Sequence, residues 1–233
     1  MKNKYDIIVV GGGFAGAAAA ISAGRLGKSV LLIEKYNCMG GAACYDLVNP
    51  FMPYATTDPE SGERIDLSCG LFTEIVDRLR QLGGARNEKR SLPFNEEVLK
   101  YLLNTMAIES GVELLYQTYV TGVRKEGERI KSVMISNVSG NSEIEADCFI
   151  DATGDANLSV MAGCPYRLGR ERDNLCQPMT LCFRLAGVKG YDADLKARIN
   201  SLYSEYQASC KIKNPRENVL IFKTLVGDIL HFT

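Results

Sequence analysis

The chain has 233 residues, 46% hydrophobic and 24% charged, the balance of an ordinary globular protein with room for one large domain or one and a half. Its 27 Lys and Arg against 28 Asp and Glu leave a net charge of −1. That near-neutrality argues against binding nucleic acid or an anionic membrane through bulk charge.

The first apolar run, "YDIIVVGGGFAGAAAAISAG", crosses residues 7–24 without a charge. A membrane span needs one helix of about 20 apolar residues, and the three consecutive glycines Gly11–Gly13 make such a helix poor. Asp6 spoils the basic start of a signal peptide, and the run flows through Arg25 and Gly27 into further structure. The run reads instead as two elements: a strand over 5–10, then a helix over 14–26 stopped by Gly27. "SVLLIE" at 29–34 is a second buried strand, completing a βαβ unit.

Residues 45–66 carry turn chemistry. "GLFTEIVDRLRQLGG" has helical apolar spacing, and a helix over 96–110 is capped by Asn95, with Phe94 stapled against Leu99. Three β segments follow, "VELLYQTYVTGV", "RIKSVMISNV" and "EIEADCFIDA", separated by "KEGE" and "SGNS" as an antiparallel meander. After Gly154 come a strand in "MTLCFRLAGV", a helix in "DADLKARINSLYSEYQ" and a hairpin in "NVLIFKTLVGDILHFT".

Gly11, Gly13 and Gly16 form G-x-G-x-x-G at the strand-to-helix turn. The first permits the tight turn, the second close approach of a pyrophosphate, the third close packing of helix on strand. The helix start then offers free N–H groups to phosphate. Glu34 ends the second strand, where a carboxylate bonds a ribose 2′-OH and disfavours NADP. These residues alone leave NAD and FAD open.

Eight cysteines, at 38, 44, 69, 148, 164, 176, 182 and 210, include no CxxC pair, and the chain has one histidine, His231. No metal site is expected. The thiols read as buried and reduced, which points to a cytoplasmic setting.

With "CMGGAAC" after the Glu34 strand and "FIDATGDANLSVMAG" after the meander, the chain from about 4 to 188 resembles FAD-dependent oxidoreductases with the glutathione-reductase-type FAD domain. The resemblance implies an α/β fold: a Rossmann-like FAD-binding domain over 1–165, with an irregular and helical insertion at about 45–92 and a β-meander at about 112–150. An incomplete α+β substrate-binding domain follows over 166–233. It implies FAD as cofactor, with Gly11, Gly13, Ala15 and Gly16 at the pyrophosphate and Glu34 and Lys35 at the adenosine ribose. Gly40, Gly41 and Ala42 would follow the pyrophosphate and ribityl chain, and Val120 the adenine. Ala152, Thr153, Gly154 and Asp155 form the return segment; Asp155 reads equally as the N-cap of the next helix.

The disulfide reductases of this fold carry CxxxxC, which is absent here, so Cys44 reads as a packed residue ahead of a nucleophile. Asn49 is the polar group expected near the flavin, with a turn-forming role before Pro50 as the plainer reading. Arg167, Arg170 and Arg172 form either a clamp for a carboxylate substrate or a loop neutralised by Glu171 and Asp173. Arg170 and Gln177 lead that set. His231 reads as a strand residue without a role.

Family members continue beyond 233 residues, so the chain reads as an N-terminal portion acting on a small molecule, with homo-oligomerisation left open. The other readings are a non-catalytic nucleotide-binding or interaction fragment and a tRNA-modifying flavoprotein. A helix terminus contributes about 0.3–2 kcal/mol toward a bound charge, where micromolar affinity needs about 8 kcal/mol. The 233-residue chain alone is therefore expected to hold FAD weakly or not at all.

Overall fold

The computed structural model describes residues 2–52, 54–86 and 91–233. β1 (Lys4–Val10), α1 (Phe14–Arg25) and β2 (Val30–Ile33) form the strand–helix–strand unit. The strands run parallel, from Ile7 opposite Val30 to Val10 opposite Ile33. All four residues of β2 are buried, which explains a continuous apolar run without alternation. Gly27 follows the last turn of α1 at φ +76°, the left-handed stop read from sequence.

Two helices cover the α1 side of this unit. α2 (Leu71–Gln81) buries Ile75, Val76 and Leu79, and α3 (Glu96–Glu109) buries Leu99, Leu102, Leu103 and Met106. The Asn95 side chain accepts hydrogen bonds from the backbone of Glu97 and Val98, satisfying free donors at the start of α3. Phe94 and Leu99 join one core with Val9, Ile21 and Leu32. The stretch read as irregular contains a short hairpin, β3 (Ala55–Thr57) with β4 (Arg64–Asp66). Pro53, one of its turn residues, lies outside the described residues.

The main sheet adds β5 (Glu113–Leu115), β6 (Tyr119–Glu126), β7 (Arg129–Asn137) and β8 (Gly140–Asp151), in the order β5-β2-β1-β8-β7-β6. The expected single strand "VELLYQTYVTGV" is in fact two. β5 pairs parallel with β2; the chain then turns at Gln117, φ +50°. Gln117 and Thr118 donate their backbone N–H groups to Tyr36 and Glu34 across the end of β2, and β6 starts there. β8 pairs antiparallel with β7 through Gly140–Glu145 and parallel with β1 through Glu145–Asp151. One strand thus joins the meander to the parallel sheet.

Beyond α4 (Asn157–Met161), β9 (Phe183–Leu185), β10 (Ile221–Lys223) and β11 (Leu230–Phe232) form a three-stranded antiparallel sheet ordered β10-β11-β9. α5 (Ala193–Ala208) lies between β9 and β10 in sequence, and its Ile199 packs on Ile221, Leu230 and Phe232. The hairpin is as expected, whereas the strand in "MTLCFRLAGV" shrinks to three residues, because Met179 and Leu181 point into solvent. Among the described residues no helix is long and apolar enough to cross a membrane.

Candidate functional site

A cleft of about 590 Å³ opens at the carboxyl ends of β1, β2 and β8, where open α/β sheets bind ligands. Three stretches far apart in sequence meet there.

The first is the glycine turn. Gly11 has φ +99°, and a Cβ on it would stand 2.6 Å from the Ala152 carbonyl oxygen. Gly16 is buried against the Gly11 carbonyl, which a Cβ would strike. Gly13 faces the cleft with nothing nearer its missing Cβ than Gly41 Cα at 4.0 Å. α1 begins directly after it with no side-chain cap and no acidic residue in its first turn. The positive end of the helix is therefore left for a ligand anion.

The second stretch runs from Glu34 to Asp46. Glu34 is buried, and both its carboxylate oxygens accept backbone N–H groups: Oε2 from Gly12 at 2.5 Å and Oε1 from Tyr36 at 2.9 Å. Lys35 also lines the cleft, its ammonium over the Tyr36 ring, which stacks on Tyr45 at 3.5 Å. A Cβ on Gly41 would stand 2.9 Å from Gly13 Cα, so the two glycine turns meet backbone to backbone. Gly41, Ala42 and Asp46 line the cleft, whereas Gly40 packs against Cys44 behind it.

The third stretch is the end of β8. Ala152 donates its N–H to the Val10 carbonyl at 2.8 Å. Asp151 Oδ1 accepts from the Thr153 N–H and hydroxyl, and Oδ2 from the Ser159 N–H and hydroxyl. Burial pushes the Asp151 carboxyl up, but these four hydrogen bonds outweigh it and hold the group below its ordinary value. Thr153 Oγ1 in turn accepts the Asn157 N–H at 2.8 Å. Asp155 is therefore not the N-cap of α4: that position belongs to Ala156, and the Thr153 hydroxyl takes the free donor. Ala152, Thr153, Gly154 and Asp155 line the cleft, as does Val120 from β6.

The cleft thus gathers Gly11, Gly13, Ala15, Glu34, Lys35, Gly41, Ala42, Val120 and residues 152–155, with Gly16 and Gly40 one layer behind. Sequence reasoning missed Gly12, Tyr36 and Asp151. The signal for Asp151 was a carboxylate at a strand end with Thr and Ser two and eight residues on.

The remaining candidates lie outside the cleft. Cys44 is buried behind Gly40, and burial pushes its thiol up to about 12, the reverse of an activated nucleophile. The Asn49 carboxamide donates to the Phe94 carbonyl at 2.7 Å and to Glu96, tying its loop to the start of α3. Arg170 is held by Asp173 at 2.6 and 2.7 Å on an exposed loop that also carries Gln177. Arg167 and Arg172 are paired with Glu171 and Asp173, so these arginines form the neutralised loop. The cysteines are all unpaired, yet five of the eight are exposed, Cys148 among them. Its apolar neighbours had suggested burial, but it sits on the solvent side of β8.

A dinucleotide fits the cleft: backbone without side chains faces backbone at Gly13 and Gly41, beside an uncapped helix start and a fixed carboxylate. Residues 6–224 match the family of FAD dependent oxidoreductases, and the chain belongs to it. FAD is the cofactor. Digeranylgeranylglycerophospholipid reductase of Methanoculleus marisnigri is 27% identical over 174 residues, 70% of this chain and 42% of the relative. Vinyl phenol reductase of Lactiplantibacillus plantarum is 54% identical over 118 residues, 48% of this chain and 22% of the relative. Among solved structures, BexE of BE-7585A biosynthesis superposes with a TM-score of 0.58 at 14% identity, over 98% of this chain and 43% of that one. That likeness is one of fold. The chain spans about two fifths or less of the length of these relatives.

Proposed function

We propose that the chain is the FAD-binding portion of an oxidoreductase that moves a hydride or electron pair to or from a small molecule. The observation that carries the reading is the approach of Gly13 to Gly41 beside the clamped Glu34 carboxylate. Two chains stripped of side chains leave room for a pyrophosphate and line it with N–H donors. In this reading Gly11, Gly13 and Ala15 hold the pyrophosphate with Gly16 packed behind their turn, and Glu34 and Lys35 hold the adenosine ribose. Val120 flanks the adenine, Gly41 and Ala42 follow the ribityl chain with Gly40 behind them, and Ala152–Asp155 close the cleft from β8. The meander between α3 and residues 152–155 favours the glutathione-reductase-type arrangement, with residues 1–165 as the FAD-binding domain and 166–233 beginning a substrate-binding domain.

Bound FAD supplies the redox chemistry, and the protein supplies position and electrostatics. The protein's share is to fix the phosphates and ribose and to exclude a 2′-phosphate through the Glu34 charge. Eight unpaired thiols suit a cytoplasmic setting. The test is titration of apoprotein with FAD, FMN and NAD⁺, read by flavin fluorescence or calorimetry, then anaerobic screening for substrates that bleach the flavin. FAD binding at least about tenfold tighter than the others is expected; NAD⁺ binding as tightly as FAD overturns the reading.

A further inference from the structure

A second cavity, of about 230 Å³, opens behind the loop that carries Gly41 and Ala42. Gly41, Ala42 and Asp46 face the dinucleotide cleft, while Cys44 and Leu47 of the same loop face the second cavity. The opposite walls are the start of α3, with Glu96 and Lys100, and the three-stranded sheet, with Arg184 and Thr224. Glu96 is buried and accepts hydrogen bonds from the Arg184 guanidinium and the Asn49 carboxamide. Lys100 is paired with Glu97 at 2.6 Å, so the charged groups of the wall cancel.

Arg184 and His231 stand opposite each other on β9 and β11, which places their side chains on one face of the sheet. The other face is the apolar cluster of Ile221, Leu230 and Phe232 under α5. His231 is 2% exposed, and among the described residues neither of its ring nitrogens has a partner. Arg184 Nε is likewise buried and unpartnered. From β10, Phe222 offers His231 only a ring, its centroid 6.2 Å away. Buried polar groups are almost always satisfied, and here three unmet atoms sit on two paired residues, of which Arg184 lines the cavity and His231 lies buried beside it.

We propose that the seam of Glu96, Arg184 and His231 binds the carboxylate of a small-molecule substrate. Arg184 Nε–H only donates, and a neutral imidazole donates through one nitrogen. A carboxylate has acceptor sites alone, about four of them, and takes both donors together. Because Glu96 already balances the guanidinium, the arriving carboxylate adds one negative charge to a buried seam, and His231 balances it by taking a proton. Without ligand, burial and the Arg184 cation hold the imidazole below its ordinary range, against a smaller upward pull from Glu96. Binding is therefore linked to uptake of one proton and weakens as pH rises. A neutral amide of the same shape brings no charge and turns an N–H toward the donors.

The word "substrate" rests on the oxidoreductase reading, and the test separates the two. His231 is the one histidine of the 233 residues, so its imidazole is followed by NMR in [¹⁵N]histidine-labelled FAD-loaded protein, assigned by its loss in His231→Asn. Benzoate and benzamide are the probes. The expected result is a saturable shift with benzoate and a raised imidazole pKa in the complex. Benzamide is expected to give no shift, and Arg184→Gln to bind benzoate at least about tenfold more weakly. Should Arg184→Gln fail to fold, Arg184→Lys keeps a cation for Glu96 while exchanging the guanidinium, its Nε–H included, for an ammonium. The inference is overturned by no saturable shift with benzoate, by equal binding of benzamide, by undiminished binding in the arginine variant, or by a trapped water satisfying His231 without response to benzoate. NAD⁺ binding as tightly as FAD alongside a retained benzoate shift sinks the oxidoreductase reading alone.

Discussion

Gly12 and Glu34 are joined by a 2.5 Å hydrogen bond from the glycine N–H to carboxylate Oε2, and a Cβ on Gly12 would press on the glutamate side chain at 3.1–3.2 Å. The carboxylate is thereby aimed before any ligand arrives. Glu34→Gln turns an NH₂ group toward the Gly12 or the Tyr36 N–H and leaves a buried donor unmet. Stability is expected to fall by about 1–3 kcal/mol in denaturant unfolding, and FAD affinity by about tenfold or more in fluorescence titration.

The two inner glycines separate folding from binding. Gly16→Ala forces a Cβ into the Gly11 carbonyl, so the expected loss is about 1–3 kcal/mol of stability together with FAD binding. Gly13→Ala meets nothing closer than 4.0 Å in the protein, so its melting temperature stays near wild type while its methyl enters the cleft and FAD binding is lost. Retained FAD binding in Gly13→Ala removes the pyrophosphate from this position.

Asp151 is held below its ordinary value of 3.8 by Thr153 and Ser159 despite its burial. A carboxyl depressed in the folded state stabilises the fold above the unfolded value, and that contribution disappears as pH falls through the folded value. The wild-type advantage over Asp151→Asn is accordingly expected at neutral pH, about 1 kcal/mol for this partly buried group. It is expected to begin falling near about pH 4 and to be lost as pH drops through the folded value. Paired unfolding curves across pH measure it.

Cys44, with its thiol pushed up from 9.0 to about 12 by burial, carries almost no thiolate near neutrality. Iodoacetamide on the native protein is expected to label the exposed Cys69, Cys148, Cys164, Cys176 and Cys210 and to spare Cys44 until denaturant is added, as read by peptide mass spectrometry. The folded state keeps the neutral thiol, so this group's contribution is present below about 9 and is lost as pH rises toward about 12.

What the sequence disclosed was local. The strand-to-helix glycine turn, the Gly27 stop and the Asn95 cap each depend on residues close in sequence, and the structure has them as expected. The break between β5 and β6 was hidden because Tyr116–Tyr119 are all compatible with a strand; the turn is imposed by Tyr36 and Glu34, more than eighty positions earlier. Asn49 was drawn toward the flavin by nearness in sequence to Gly41, whereas its carboxamide is tied to Phe94 and to Glu96 at the start of α3. The pairing of Glu96 with Arg184 spans 88 positions and was beyond any pattern of spacing.

β8 measures a length. Its early residues are registered on the meander and its last seven on β1, and it delivers Ala152 against Gly11. An added residue in the turn at Val138–Ser139 is absorbed outside that span. The same addition between Glu145 and Asp151 turns every later side chain to the other face and carries Ala152 away from Gly11. The tolerance of this protein to insertion therefore changes abruptly within one continuous strand, and the boundary is set by the distance from the meander to the glycine turn.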